Sequence, residues 1–175
     1  MALPIEDLRQ KIRDIPDFPK AGIVFKDITP LLADGRAFRA AIDLLAERYR
    51  ERKVDVVVGV EARGFIMGSA LAYTLGAGNI LIRKPGKLPY HTHRTVYELE
   101  YGSDALEIHQ DAIKPGQRVL VADDVLATGG TVSAAIDLVR KLGGEIVELA
   151  FLIELTFLKG RDRLGQHPMF SLIQY

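Results

Sequence analysis

The sequence predicts an α/β protein with a mostly parallel central sheet flanked by helices. Three observations carry this. Residues 54–60 form a short run rich in β-branched residues, which suits a strand covered on both faces. A helical pattern over 65–75 follows directly, and a second short apolar run occupies 79–82. Residues 119–131 repeat that order. An apolar run stops at Asp123 and Asp124, a small turn crosses Ala127, Thr128, Gly129 and Gly130, and Val132, Ala135, Ile136, Val139 and Leu142 then recur at three- and four-residue steps. Strands alternating with helical connections make a parallel sheet. Right-handed crossovers then place the loops at 61–64, 83–87 and 123–131 along one carboxyl edge.

The remaining elements fit around this frame. Ile5, Leu8 and Ile12 stand at helical spacing, so a short amphipathic helix opens the sequence and ends before Pro16. Residues 17–30 hold two aromatics and a glycine among prolines, and read as an ordered, extended loop. Asp34 and Gly35 precede a helix whose inner face is Phe38, Ile42, Leu45 and Tyr49. Gly76 and Gly78 stop the 65–75 helix. Residues 88–95 show no period and read as a mobile loop. Over 96–101, Tyr97, Leu99 and Tyr101 alternate with Glu98 and Glu100; after a turn at Gly102 and Ser103, residues 105–109 alternate again, which predicts a hairpin. Gly143 and Gly144 end the 132–142 helix, and 145–155 and 170–173 complete the strands, with a helical turn over 158–164 between them.

At 175 residues the chain suits one domain, and with 48% apolar residues it has material for a sizeable core. Lysine plus arginine balances aspartate plus glutamate, which argues against a general nucleic-acid or membrane binder. With no cysteine there is no disulfide and no thiolate metal site. No signal-type apolar segment opens the sequence and no run approaches the ~20 residues of a membrane span, so the expectation is a cytoplasmic enzyme.

The chemistry concentrates at 119–131. Backbone N–H groups at a helix start favour an anion, and Thr128 and Thr131 add hydroxyls. Two acids next to such a cradle would repel a bare polyphosphate. They suit a ligand that carries hydroxyls beside its phosphate, such as a ribose 5-phosphate. Neither a P-loop nor a dinucleotide glycine fingerprint is present. Arg83, Lys84 and Lys87 flank a Pro-Gly pair at a second strand end, and Arg63 follows a third. His91 and His93 form a His-x-His pair without an evident third metal ligand; His109 and His167 read as structural or solvated.

Residues 119–131 resemble the phosphoribosyl pyrophosphate signature of the type I phosphoribosyltransferases. Blocks 18–28, 61–65, 82–89 and 97–101 resemble the adenine-specific branch of that family, in the same order and over nearly the whole chain. The resemblance implies a single domain over 1–175, with a small N-terminal hood at about 14–30 and the flexible loop at 88–95 closing over the site. It implies transfer of a phosphoribosyl group from phosphoribosyl pyrophosphate to adenine, with AMP and pyrophosphate as products. Asp123 and Asp124 would bind the ribose hydroxyls, and Ala127, Thr128, Gly129, Gly130 and Thr131 the 5-phosphate. Arg63, Arg83, Lys84 and Lys87 would hold pyrophosphate, from a loop at 61–64 that often contains a cis peptide in this fold. Val24 and Lys26 would read the base through backbone groups, with Phe25 and Leu126 sandwiching its ring. Glu100 would accept the purine proton, Glu98 being the weaker candidate, with Arg63 and Lys84 completing the catalytic set. Mg²⁺ would ride mainly on the pyrophosphate, with no dedicated protein metal site, and the protein would act as a homodimer. Two other readings stay open on the residues alone: another base (hypoxanthine, guanine, xanthine or orotate), or a regulator that senses the sugar phosphate while binding nucleic acid.

Overall fold

The structure is a computed structural model that describes residues 3–98 and 103–175. The chain divides into two compact units, Met1–Leu44 and Leu45–Tyr175.

In the first unit, helix α1 (Ile5–Gln10) carries Glu6 and Asp7 in its first turn and Arg9 in its last, charges that match the helix dipole. Leu8 is its buried anchor. Strands β1 (Arg13–Pro16) and β2 (Val24–Asp27) then pair antiparallel. The 17–30 stretch is therefore not wholly an extended loop: its middle is the second strand of a ribbon. The connecting turn is tied by Asp17 Oδ1, which accepts the Gly22 N–H at 2.7 Å, and the Phe18–Pro19 peptide is cis. Ion pairs from Arg13 to Asp27 (2.7 Å) and from Lys26 to Asp14 (2.6 Å) cross the ribbon. Asp27 also accepts the Thr29 N–H. That bond, with the Arg13 guanidinium, draws its carboxyl down to about 2. Helix α2 (Thr29–Ala33) follows. Asp34 Oδ1 accepts the N–H groups of Arg36 and Ala37 and so opens α3 (Gly35–Glu47). The buried face of α3 is carried by Ala37, Ala41, Ile42 and Leu45, and Phe38 is only half-buried, because the alanines lie closer to the centre of the stripe.

In the second unit, strand β3 (Val56–Val60) is buried at every position. Helix α4 (Gly64–Leu75), β4 (Gly78–Ile82), the hairpin strands β5 (Thr92–Glu98) and β6 (Ser103–His109), and β7 (Arg118–Leu126) follow. Helix α5 (Gly130–Lys141), β8 (Glu145–Glu154), a short 3₁₀ turn (Thr156–Leu158), α6 (Gly160–Arg163) and β9 (Met169–Gln174) complete the chain. The central sheet has the order β4-β3-β7-β8-β9, and all its pairings are parallel, which confirms the expected class. Val58, Val121, Leu138, Val139, Leu149 and Phe151 belong to one buried cluster. No described helix is long and apolar enough to cross a membrane.

Two boundaries differ from the sequence reading. Strand β7 does not stop at the acid pair. It continues to Leu126, because β8 supplies partners beyond the apolar run: Asp123 opposite Phe151, Val125 opposite Ile153 and Leu126 opposite Glu154. Strand β5 begins at Thr92, so half of the expected mobile loop at 88–95 is paired, with Thr92 opposite His109 and Thr95 opposite Leu106. Its apolar periodicity is absent because β5 itself has no buried position among its described side chains; the buried residues of the hairpin, Ala105, Leu106 and Ile108, lie on β6. Val96, for example, faces solvent while the ladder holds the backbone. Leu99, Glu100, Tyr101 and Gly102 lie outside the described residues.

Candidate active site

Because β3, β4 and β7 run parallel, their carboxyl ends share one edge of the sheet, the edge where open α/β sheets bind ligands. The loops at 61–64, 83–87 and 127–130 leave from it. Asp123 and Asp124 are consecutive strand residues near the carboxyl end of β7, and their carboxyl groups interact with each other. Asp124 is 5% exposed and accepts the Arg63 Nε–H at 2.5 Å. Asp123 Oδ1 accepts the Asp124 N–H at 2.9 Å.

Asp123 is set apart by its surroundings. Burial of its carboxyl, then the charge of Asp124, push it well above the usual carboxylate range. An ionised Asp123 therefore opposes folding. The sign follows from linkage: with the folded value raised, its stabilising contribution is complete only below the unfolded carboxylate range and is lost as pH rises through the folded value. Asp123→Asn keeps the oxygen that accepts from Asp124. It is expected to raise Tm by a few degrees at neutral pH, with the gain shrinking toward about pH 4. Thermal melts across that range check this, and an unchanged or lowered Tm at neutral pH would contradict it.

The 61–64 loop contains a cis Glu61–Ala62 peptide, the feature that the family resemblance suggests for this loop. Gly64 opens α4 against the acid pair. A Cβ there would lie 2.6 Å from Asp123 Oδ1 and 3.3 Å from the Ala122 carbonyl oxygen, so only glycine lets the helix start so close to the carboxylate.

Glu61 organises the basic turn. Its Oε2 accepts the Lys84 N–H at 2.9 Å and Arg83 Nε–H at 3.2 Å. The Lys84 N–H and then the Arg83 and Lys87 charges hold its carboxyl below the usual range, against the opposing effect of burial. Arg83 also exchanges backbone hydrogen bonds with Glu107 (3.0 and 2.7 Å), and the Gly86 N–H reaches Glu107 Oε2 at 3.1 Å. The Lys84 ammonium is bonded to the Asp104 carboxylate, with the Tyr97 hydroxyl 3.5 Å away. The Lys87 side chain is exposed, while its carbonyl accepts from Arg83. Thus the β5–β6 hairpin and Glu61 together set the cations that the sequence singled out. The sequence assigned no role to Glu61, Asp104 or Glu107. Glu61 stands two residues from Arg63 and had a local cue, whereas Asp104 and Glu107 had none.

Ala127 to Gly130 make the turn into α5. Gly129 is left-handed (φ 82°), no side chain caps the helix, and the Ser133 N–H returns to the Gly129 carbonyl at 2.9 Å. Thr128 is exposed and Thr131 half-buried, so the helix start presents N–H groups and two hydroxyls.

Of the residues expected to meet a base, Val24, Phe25 and Lys26 lie on β2. Pro16, opposite Val24, has no N–H to give a hydrogen-bonded pair. Ladder bonds therefore fall on the Ile15–Phe25 pair, and the backbone groups of Val24 and Lys26 turn to the ribbon's other edge. Phe25 packs edge-to-face on Phe18, with ring centroids 5.3 Å apart. Leu126 does not fit a stacking role: it is 1% exposed and belongs to the core. The half-buried neighbour is Val125, on the same face of β7 as Asp123, because the strand runs through the acids and fixes the parity. The expected proton acceptor Glu100 lies outside the described residues. His93 sits on β5 opposite Ile108, and the His91 carbonyl accepts the Gln110 N–H at 2.9 Å. Tyr90 N–H approaches His109 Nε2, and His167 faces Arg140 at 2.9 Å; burial, and then the Arg140 charge, lower the His167 pKa.

Residues 27–166 match the phosphoribosyl transferase domain family. The chain is 65% identical over 171 residues to adenine phosphoribosyltransferase of Syntrophotalea carbinolica, covering 98% of this chain and 100% of that one. Among solved structures it is similar to adenine phosphoribosyltransferase from Thermoanaerobacter pseudethanolicus, with a TM-score of 0.96, 53% identity, and coverage of 98% and 100% of the two chains. The enzyme from Saccharomyces cerevisiae, solved with an imino-altritol bisphosphate and adenine, superposes with a TM-score of 0.91 at 42% identity, over 96% of this chain and 97% of that one.

Proposed function

The chain belongs to the phosphoribosyl transferase domain family, and from that premise we infer how its residues divide the reaction. The reaction is transfer of the 5-phosphoribosyl group from phosphoribosyl pyrophosphate to adenine, giving AMP and pyrophosphate in purine salvage. A purine ring nitrogen forms a bond to the anomeric carbon as the bond from that carbon to pyrophosphate oxygen breaks. The nitrogen's proton leaves to a base. Positive charge grows on the sugar and negative charge on the leaving group, so preorganised cations at the pyrophosphate are the protein's main lever.

The observation that carries the assignment of roles is the shared carboxyl edge of β3, β4 and β7, with Arg63 bonded to Asp124 across it. Asp123 and Asp124 accept the ribose 2- and 3-hydroxyls. The N–H groups of Ala127 to Thr131 and the hydroxyls of Thr128 and Thr131 bind the 5-phosphate. Arg63, Arg83, Lys84 and Lys87 take the pyrophosphate. For Lys84 this means exchanging Asp104 for a phosphate oxygen, a swap of one anion for another. Val24 and Lys26 read the adenine edge, Phe25 covers its ring, and Glu100 accepts its proton.

Mg²⁺ fits this site as an ion borne by substrate. Two adjacent carboxylates, Asp123 and Asp124, offer oxygens to its water shell. When bound, the ion would neutralise charge on the departing pyrophosphate. The reading also carries a homodimer and a cytoplasmic enzyme. The apolar side chains of Ile66, Tyr73 and Leu81, left exposed on α4 and β4 (Tyr73 by 91%), support a self-association surface.

The test is turnover of phosphoribosyl pyrophosphate and Mg²⁺ with each purine base in turn. AMP from adenine is expected. Turnover of another base alone would reject the assignment, and no turnover at all would favour a sensing role. In the same assay Glu100→Gln is expected to lower kcat by about a hundredfold or more with little change in adenine binding, because a proton acceptor acts in the transition state. An unchanged kcat would remove Glu100 from that role.

A further inference from the structure

Behind the 127–130 turn stands a short piece of chain that no part of the reaction described above uses. Lys159 joins the 3₁₀ turn to α6, which begins at Gly160. Gly160 lies backbone to backbone against the phosphate turn. A Cβ on Gly160 would come within 2.2 Å of the Ala127 carbonyl oxygen and 3.0 Å of Leu126 Cδ1. In return, a Cβ on Gly129 would meet the Gly160 carbonyl oxygen at 2.6 Å and the Arg163 Cβ at 3.4 Å. The two backbones touch with no side chain between them.

What holds Gly160 there is an ion pair with its neighbour. Arg161 binds Glu154 through both guanidinium arms, Nε to Oε1 at 2.6 Å and Nη2 to Oε2 at 2.6 Å. Glu154 is 3% exposed, and Gln174 Nε2 also donates to it, at 3.3 Å. The bidentate fork fixes orientation as well as charge. Glu154 is also the residue directly opposite Leu126 in the β7–β8 ladder, and the next N–H, that of Leu155, donates to the Leu126 carbonyl at 2.9 Å. The carboxylate that anchors the buttress therefore sits level with the last strand residue before the turn. The buttress and the turn are referenced to the same point of the sheet.

We propose that Glu154, Arg161 and Gly160 are positioning residues for the 5-phosphate: they hold the 127–130 turn from behind so that its N–H groups converge on one phosphate. This rests on the assignment of that turn to the 5-phosphate. None of the three touches substrate. A displacement of this turn by a fraction of an ångström spreads N–H groups that must converge, and a shift of about 1 Å at such a site can cost about a hundredfold.

AMP and adenosine differ only in that phosphate, so the ratio of their inhibition constants isolates it. In Gly160→Ala and Arg161→Met, AMP is expected to weaken by at least about tenfold while adenosine changes by less than about twofold. Arg161→Lys, which keeps the charge but not the fork, is expected to fall between. Far-ultraviolet circular dichroism shows whether each variant folds, and Arg161→Lys carries the test if Gly160→Ala does not. An unchanged AMP-to-adenosine ratio in a folded variant overturns the proposal, as does an equal weakening of both ligands. Wild-type turnover is measured separately. An inactive wild type would fail the functional reading, whereas an active wild type with unaltered ratios in the variants would fail this one.

Discussion

Asp124→Asn is expected to lower kcat/KM for phosphoribosyl pyrophosphate by about a hundredfold or more while the protein stays folded. A hydrogen bond to a charged group contributes about 1.5–3 kcal/mol, which is roughly tenfold to a hundredfold and upward. Asp124 makes that kind of bond to Arg63 and is nearly buried, so its loss acts twice: on the sugar hydroxyls and on the guanidinium it aims. The amide is the same shape as the carboxylate, so packing survives. It also removes the charge that helps to push Asp123 upward, which offsets part of the stability lost with the Arg63 pair. Steady-state kinetics with phosphoribosyl pyrophosphate varied, beside a thermal melt, check both statements. A variant within about twofold of wild type would remove Asp124 from the sugar site.

Arg63→Ala is expected to be at least as damaging, and in a different parameter. A preorganised donor at developing negative charge contributes roughly 10²–10³ in kcat, and Arg63 follows the strand end directly, bonded to Asp124 and followed by Gly64, which packs against Asp123. The fall should appear in kcat more than in adenine binding. Stability should also drop, because Asp124 is left nearly buried without the guanidinium. Arg63 is 47% exposed, so the loss is discounted for solvent to about 1–2 kcal/mol. Arg63→Lys restores charge but not the planar fork and should recover only part of the rate. A kcat unchanged in Arg63→Ala would show that the pyrophosphate charge is met by the 83–87 turn alone.

Much of the site was legible in the chain because its chemistry is local. The acid pair, the glycine turn and the helix after it are consecutive residues, and their periodicities change where the backbone does. The parallel order of β3, β4 and β7 followed from alternation of strand and helix, and with it the shared edge. Leu126, which the resemblance implied as a stacking residue, lies in the core, and its exposure is not a local property. Whether residue 125 or 126 is open depends on whether β7 ends before or after the acids, and that is decided by β8 through the Leu126–Glu154 pair. The strand at Thr92 was hidden for a related reason: β5 is held by its ladder to β6, which alone carries the buried residues of the hairpin, so β5 needs no apolar alternation.

Taken alone, then, the sequence determined the class of fold, the sheet edge and the identity of the groups that can meet a sugar phosphate, since these rest on runs and spacings within a dozen residues. Only the tertiary structure decided which partners hold those groups. Glu61 grips the 83–87 turn from 22 residues away, Asp104 meets Lys84, and Gly160 stands behind Ala127. The physical reason is that a contact between distant residues leaves no periodic trace: a lone acid or glycine reads the same whether it is solvated or braced against an active-site loop, until the fold brings its partner within hydrogen-bonding or van der Waals distance.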